Sequence, residues 1–341
     1  MALPTTTRVV RLTATPSGLP APGDFTVAEE PLPAPGPGEV LVRNRAFLVF
    51  AALRTLIGGG AADLPLPHIR PGDAMFGPAL GEVLAAPADG PLRPGDLVTH
   101  LAGWRDHAVA EAARFTAVPA DFPDPVALVS SASSAYGALT RTAGMRPGDV
   151  VLVTGASASV GTVAGQVARL LGASRVIGTT RSSAKAKRLI AELGYDAVLV
   201  PDGRPFAEQL AEAAPGGLDV VLDLVGGEQL TAAVDAARHG ARFALVGALA
   251  GQLDPERPGG DAPAVIDAFR VITRGLTLGG FSGFDHPDLE AEWRERFAGW
   301  LRAGEIALPR TSVPGIDRAP AALTELFTGD TFGTTVVELE L

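Results

Sequence analysis

Four strand-forming residues, Val150-Val151-Leu152-Val153, lead into Thr154-Gly155-Ala156-Ser157-Ala158-Ser159-Val160-Gly161. Apolar residues then recur at Val160, Val163, Ala164, Val167, Ala168 and Leu171, the spacing of a buried helix face. Strand, glycine-bearing turn and helix in that order bring the unpaired N–H groups of a helix N-terminus to the end of a strand, where they can hold an anion. In βαβ units that anion is the pyrophosphate of a dinucleotide. The GxGxxG fingerprint would put glycines at 156, 158 and 161, whereas this chain has Ala156, Ala158 and Gly161. The middle glycine is the one that lets backbone approach the pyrophosphate, so the methyl of Ala158 either shifts the phosphates or weakens their binding. The residues expected to cradle them are Ser157, Ala158, Ser159, Val160 and Gly161; a plain strand-to-helix turn is the competing reading.

The next strand ends in Gly178-Thr179-Thr180-Arg181, about twenty residues after Gly161. Proteins that take NAD carry an acidic residue there for the ribose hydroxyls. This chain instead has Thr180 and Arg181, with Lys185 nearby and Ser182 and Ser183 between them, a cationic, hydroxyl-rich group suited to the 2′-phosphate of NADP(H). Against this stands the possibility that Arg181 and Lys185 are only the solvated start of a helix.

Other chemistry is sparse. The chain has no cysteine, which excludes disulfides, thiolate catalysis and cysteine-ligated zinc, and no metal site is expected. His100 and His107 flank Trp104 near strand ends, where a lone histidine is more often structural; His68, His239 and His286 are read in loops or helix ends. Asp223 is carboxylate chemistry by type but, at the end of a parallel strand, is expected to satisfy backbone N–H groups around Gly226 and Gly227. Arg-Pro-Gly-Asp occurs at residues 70–73, 93–96 and 146–149, each read as a type II turn, with proline setting φ and glycine accepting positive φ.

The elements that must position these residues follow from length and pattern. A chain of 341 residues predicts two domains. Short apolar runs at 40–42, 81–84, 97–100 and 108–110 give residues 1–124 the rhythm of a β-rich domain. From 125 to 304 the rhythm becomes strand, turn and helix, with strands read at 150–154, 175–180, 197–200, 219–224, 242–246 and 276–281. That alternation predicts a doubly wound parallel sheet, and so an α/β protein. The tail, 305–341, reads as β-like and is expected to complete the first domain. With 19% charged residues, 47% hydrophobic residues and a net charge of -10, disorder is excluded and nucleic acid is an unexpected partner. No apolar run reaches the roughly 18 residues of a membrane span, and the N-terminus has no apolar core of signal-peptide length, so a cytoplasmic location is expected.

Across nearly its whole length the chain resembles the zinc-independent medium-chain dehydrogenase/reductase superfamily, and more narrowly its prostaglandin reductase and 2-alkenal reductase branch. The likeness is carried by PAPGPGEVLVRNRA, SSAYGALTRTAGMRPGDVVLVTGASASVGTVAGQVARLLG, LDVVLDLVGGEQL, GARFALVGA and LFTGDTFGTTVVEL, in that order. It implies a GroES-like first domain, a Rossmann second domain and a homodimer paired through the strand around 276–281. It puts the 2′-phosphate near Lys185, the nicotinamide near Val246, Gly247 and Ala248 and near Phe281, Ser282 and Gly283, and the family's C-terminal asparagine at Thr331. Ser134 and Tyr136 stand where the family shows Thr-Ala-Tyr, and are the candidate catalytic residues. For Tyr136, a core aromatic with a satisfied hydroxyl is the competing reading. The implied activity is NADPH-dependent reduction of a conjugated C=C bond in a small apolar enone, enal, enoyl or quinone substrate. The chain departs from the pattern at Ala158, at Leu224 (for asparagine), at Pro201 (for tyrosine), at Gln252 (for tyrosine) and at Val49-Phe50-Ala51-Ala52 (for Val-Asp-Pro-Tyr). These changes leave open a redox-neutral or non-catalytic protein of the same fold with an altered cofactor site.

Overall fold

Alternating burial along β-branched stretches builds the first part of the chain. The computed structural model describes residues 3–59, 66–257 and 259–339, and these divide into two compact units, Met1–Ser130 with Arg310–Leu341, and Ser131–Pro309. The first unit opens with β1 (Thr6–Leu12) and β2 (Phe25–Pro31), an antiparallel ribbon that pattern reading did not resolve. There follow β3 (Glu39–Val49), the short α1 (Leu53–Ile57), β4 (Ala79–Ala85), β5 (Leu97–His100), β6 (His107–Glu111) and β7 (Thr116–Ala117). β3 pairs antiparallel with both β4 and β6. Val40 and Val42 thereby meet Val83, Val98, Leu92 and Phe115 in a buried cluster. Each fully buried side chain of this size contributes about 1.5–3 kcal/mol.

The Arg-Pro-Gly-Asp turns form as read. Gly72, Gly95 and Gly148 have φ of 95°, 95° and 90°, and each aspartate N–H donates to the arginine carbonyl three residues back. In every case the aspartate carboxylate also accepts the arginine backbone N–H, at 2.8, 2.7 and 2.7 Å. The turn is thus closed twice, which explains why one four-residue solution recurs.

The second unit begins with α2 (Ala132–Gly137) and continues through β8 (Val150–Val153), α3 (Ser159–Leu170), β9 (Arg175–Thr179), α4 (Ser183–Leu193), β10 (Ala197–Leu199) and α5 (Phe206–Ala213). Then come β11 (Leu218–Asp223), α6 (Gly227–Asp235), β12 (Ala237–Leu245), α7 (Leu249–Gln252), α8 (Ala268–Arg274), β13 (Thr277–Gly280) and α9 (Leu289–Ala303). The six strands lie in the order β10-β9-β8-β11-β12-β13, all parallel. Helices cover such a sheet, which is why its strands are near-continuous apolar runs; Leu152, Ile177, Val221 and Phe243 are buried at its centre. The strand order reverses between β8 and β11, and ligands of open α/β sheets bind beyond the strand C-termini at that reversal.

The chain ends with β14 (Arg310–Pro314), α10 (Ala319–Thr328) and β15 (Thr334–Glu338). β15 runs parallel to β14 and antiparallel to β3, giving a sheet of order β14-β15-β3-β4-β5-β7 among the described residues. The all-β reading of this tail missed α10, whose buried Ala319, Ala322, Leu323 and Phe327 repeat at helical spacing. His239 also lies within β12 rather than in a loop. Among the described residues no helix is long and apolar enough to cross a membrane.

Candidate functional site

After β8 the backbone turns sharply at Gly155, φ +61°, and enters α3. Ala158 is the N-cap residue, with extended φ/ψ of −86° and 173°, and no side chain caps the helix. The first intrahelical bond runs from Thr162 N–H to Ala158 O, and Ala158 N–H donates to Gly155 O. The N–H groups of the first turn therefore have no acceptor one turn back within the helix. By contrast, α4 and α8 are capped by the side chains of Ser182 and Asp267. Gly161 is required by contact: a Cβ there would stand 2.6 Å from both Ala156 Cα and Gly155 O. Tyr195 holds the same residue from the other side, its buried hydroxyl donating to Gly161 O at 2.6 Å. An uncapped helix N-terminus packed against its own turn, with Ala158 exposed at the cap, fits a pyrophosphate. The Ala158 methyl narrows the approach without straining the backbone.

At the end of β9, Thr180 Oγ1 lies 3.0 Å from Ser157 Oγ, tying the phosphate turn to the neighbouring loop. Arg181 follows and is exposed. Lys185 sits in the first turn of α4, where its N–H meets the Ser182 hydroxyl at 3.4 Å. Thr180, Arg181 and Lys185 are thus brought to one end of the sheet, beside Ser157.

The loop after β12 is pinned to β11: Val246 and Gly247 N–H both donate to Asp223 O, at 2.8 and 3.1 Å. Gly247 admits no side chain, since a Cβ would fall 2.7 Å from Leu224 O. Ala248 is the N-cap residue of α7. After β13, Phe281 is buried and stacks on His286 at 5.4 Å between ring centroids. Ser282 and Gly283 start a single 3₁₀ turn. α2 packs on this loop, because Gly137 leaves room for Phe281 and Leu289. Ser134 is half-buried on the same helix. Tyr136 is 2% exposed, lies 5.8 Å from Trp293 and 6.1 Å from Trp300, and donates its hydroxyl to Glu292. Burial and that bond push its ionisation up to about 12. Thr331 belongs to the first unit, between α10 and β15.

Three polar arrangements escaped sequence reading. Buried Thr154 donates to Asp223 Oδ1 at 2.6 Å and accepts Leu224 N–H at 2.8 Å. Asp223 also accepts from Val225 and Gly226 N–H, so the carboxylate organises the β11 loop as expected, with Val225 and Gly226, but not Gly227, as its backbone donors. Burial nonetheless raises its pKa. Thr179 and Gln229 form the second arrangement, with Thr179 Oγ1 accepting Gly155 N–H at 2.9 Å and donating to Gln229 Oε1 at 2.8 Å. Tyr195 is the third. Gly165 and Gly178 supply the space its ring fills, and two glycines inside regular elements were the available signal. In the first unit His100 is buried, accepts Ala102 N–H at Nδ1, and is pushed down to about 4 by desolvation; burial also lowers His107.

The family model for zinc-binding dehydrogenase matches residues 159–301, and that for the N-terminal domain of oxidoreductase matches residues 8–118. The chain is 26% identical over 336 residues to the NADPH-dependent curcumin reductase of Escherichia coli, covering 96% of this chain and 95% of that protein. It is 26% identical over 331 residues to mouse prostaglandin reductase 1, covering 94% and 95%. Among solved structures, CurA from Vibrio vulnificus in complex with NADPH superposes with a TM-score of 0.88 at 25% identity, covering 98% of this chain and 99% of that one.

Proposed function

The chain belongs to the zinc-independent branch of the medium-chain dehydrogenase/reductase superfamily, and we propose that it is an NADPH-dependent reductase of conjugated C=C bonds. The observation that carries the reading is the uncapped N-terminus of α3, seated at the strand-order reversal and held against its turn by Gly161. Relatives named as NADPH-dependent curcumin reductase and prostaglandin reductase support the same cofactor and reaction class.

When bound, NADPH supplies a hydride to the β-carbon of an α,β-unsaturated carbonyl, the carbonyl oxygen takes up the displaced π electrons, and the α-carbon is then protonated. The first turn of α3 holds the pyrophosphate and Ser157 and Thr180 line its flank. Arg181 and Lys185 face the 2′-phosphate and set the preference for NADPH over NADH. The loops at Val246–Ala248 and Phe281–Gly283 hold the nicotinamide in register, which is where alignment of the reacting π systems is won. Tyr136, with its hydroxyl committed to Glu292, braces α2 against α9 and does not supply the proton. Phe50, Ala51 and Ala52 favour an apolar enone, enal or quinone, and the cytoplasm is the proposed location.

Calorimetric titration with NADPH and NADH tests the cofactor, followed by NADPH oxidation in the presence of enones, enals and quinones. Micromolar binding of NADPH, weakened about tenfold in Arg181→Ala with NADH unaffected, is expected. Binding of neither nucleotide would refute the reading and favour the non-catalytic alternative that Ala158 leaves open.

A homodimer is part of the proposal. Among the described residues β13 is an edge strand of the parallel sheet, and Val265, Phe269 and Ile272, in the segment leading into it, are 82%, 71% and 74% exposed. An unpaired edge flanked by exposed apolar side chains is covered when two copies extend one sheet. Light scattering should give twice the chain mass, and Ile272→Asp should give the monomer; a wild-type monomer at micromolar concentration would remove this part.

A further inference from the structure

The Thr179–Gln229 pair, so far given only a hold on Gly155, crosses the place where the phosphates would lie. Thr179 closes β9 and Gln229 is in the first turn of α6, which follows β11. β8 lies between β9 and β11. A side chain that reaches from α6 to Thr179 therefore passes over the C-terminal end of β8, where the turn Thr154–Ala158 departs.

Hydrogen-bond counting orients the amide. Thr179 is 3% exposed, and its oxygen already accepts Gly155 N–H at 2.9 Å. Its own proton needs an acceptor, because a buried hydroxyl proton left unpaired is costly. Gln229 Oε1, at 2.8 Å, takes it. With the amide oxygen committed inward, both Nε2 protons face outward. They have no acceptor among the described residues. The turn itself is held by the same threonine, since Thr179 O accepts Ala156 N–H at 2.8 Å.

We infer that Gln229, oriented by Thr179, is a ligand-binding residue whose amide donates to an oxygen of the adenosine-diphosphate half of the cofactor, a pyrophosphate or ribose oxygen. This rests on the functional reading above. It assigns the chain a side-chain donor beside the turn that carries the phosphates. Thr179 is a positioning residue: it holds Gly155 in its left-handed conformation and turns the amide outward.

The test is binding of NADPH and of 2′,5′-ADP, which lacks the pyrophosphate, to wild type and four variants, with the melting temperature of each cofactor-free protein. Gln229→Leu should bind NADPH about tenfold more weakly, the effect of one charge-assisted hydrogen bond. Gln229→Glu can still accept the Thr179 proton but sets a carboxylate beside phosphates, so it should bind more weakly than Gln229→Leu. Thr179→Val should lose affinity and Thr179→Ser should restore it. Cofactor-free Gln229→Glu, which keeps an acceptor for the Thr179 proton, should melt within about 2 °C of wild type, as a shift below 1 kcal/mol would allow, whereas Gln229→Leu strands that proton and should lose about 1–3 kcal/mol. Loss confined to NADPH identifies an oxygen of the nicotinamide-side phosphate, and equal loss for 2′,5′-ADP an oxygen of the adenosine-side phosphate or its ribose; both support the inference. Wild-type affinity in Gln229→Glu overturns it, as does a loss of affinity in Gln229→Glu matched by a fall in its cofactor-free stability, which marks a structural role. Absence of NADPH binding by the wild type would instead overturn the functional reading beneath it.

Discussion

Substituting Ala158 by aspartate should make the protein more stable and its cofactor binding worse, and the opposite signs are diagnostic. Ala158 already has the extended φ/ψ of an N-cap residue, so an aspartate there can accept N–H groups of the first turn of α3 without moving the backbone. A new cap is worth about 1 kcal/mol, and a negative charge at a helix N-terminus adds roughly 0.5 kcal/mol. For a domain of this size that corresponds to a rise of about 3–6 °C in melting temperature. The same carboxylate occupies the N–H groups that the pyrophosphate needs and repels its charge. At about 4 Å and an effective dielectric near 20 the repulsion is ~4 kcal/mol, and we halve it because residue 158 is exposed to solvent and counterions. With about 1.5 kcal/mol for displaced charge-assisted hydrogen bonds, affinity should fall several hundredfold. Differential scanning fluorimetry of the cofactor-free protein and calorimetric titration with NADPH read the two effects. Ala158→Gly is the control: cap preference and backbone entropy nearly cancel, so stability should hold within about 1 kcal/mol while removal of the methyl tightens binding. If Ala158→Asp gains stability and keeps its NADPH affinity, the pyrophosphate does not sit on α3. If it loses stability, the helix terminus is already satisfied by other groups.

Gly161→Ala should cost about 1–3 kcal/mol, because the new methyl would meet backbone atoms of Gly155 and Ala156 that cannot swing aside, and it should weaken NADPH binding with it; a melting temperature equal to wild type would contradict the packing argument. Stability should also depend on acid through His100. Its folded pKa of about 4 lies below the ordinary 6.5, so its contribution is complete above pH 6.5 and is lost as pH falls toward 4, by about 2 kcal/mol at pH 5. Urea titrations at pH 7 and pH 5 should show that loss in wild type and a smaller one in His100→Leu; equal losses in the two proteins would remove His100 as the cause. Tyr136→Phe should leave kcat within about threefold of wild type, whereas a general acid would be missed by a factor of 10² or more, so steady-state NADPH oxidation decides between bracing and proton transfer.

Much of this arrangement was written locally. The strands of the parallel sheet, the start of α3 at Ser159 and the three Arg-Pro-Gly-Asp turns depend on residues within a few positions of one another, and a periodicity or a turn signature reports such interactions directly. Gly161 was legible for the same reason, since its neighbours in space, Gly155 and Ala156, are also near neighbours in the chain. α10 was masked by the β-branched runs on either side of it, although its apolar spacing was helical throughout.

The sequence alone determined a dinucleotide-type turn, a two-part α/β chain and a cationic segment at 181–185. The tertiary structure decided which polar groups are already spent. Tyr136 and Glu292 lie 156 positions apart, Thr154 and Asp223 69, Thr179 and Gln229 50, and Tyr195 and Gly161 34. No local pattern can report those bonds, because they exist only once the fold is assembled: Thr154–Asp223 and Thr179–Gln229 need the strand order β9-β8-β11, and Tyr136–Glu292 needs α2 packed on α9. A buried hydroxyl or carboxylate must find a partner there, and whether that partner is protein or ligand is settled by which groups the fold leaves facing the crevice.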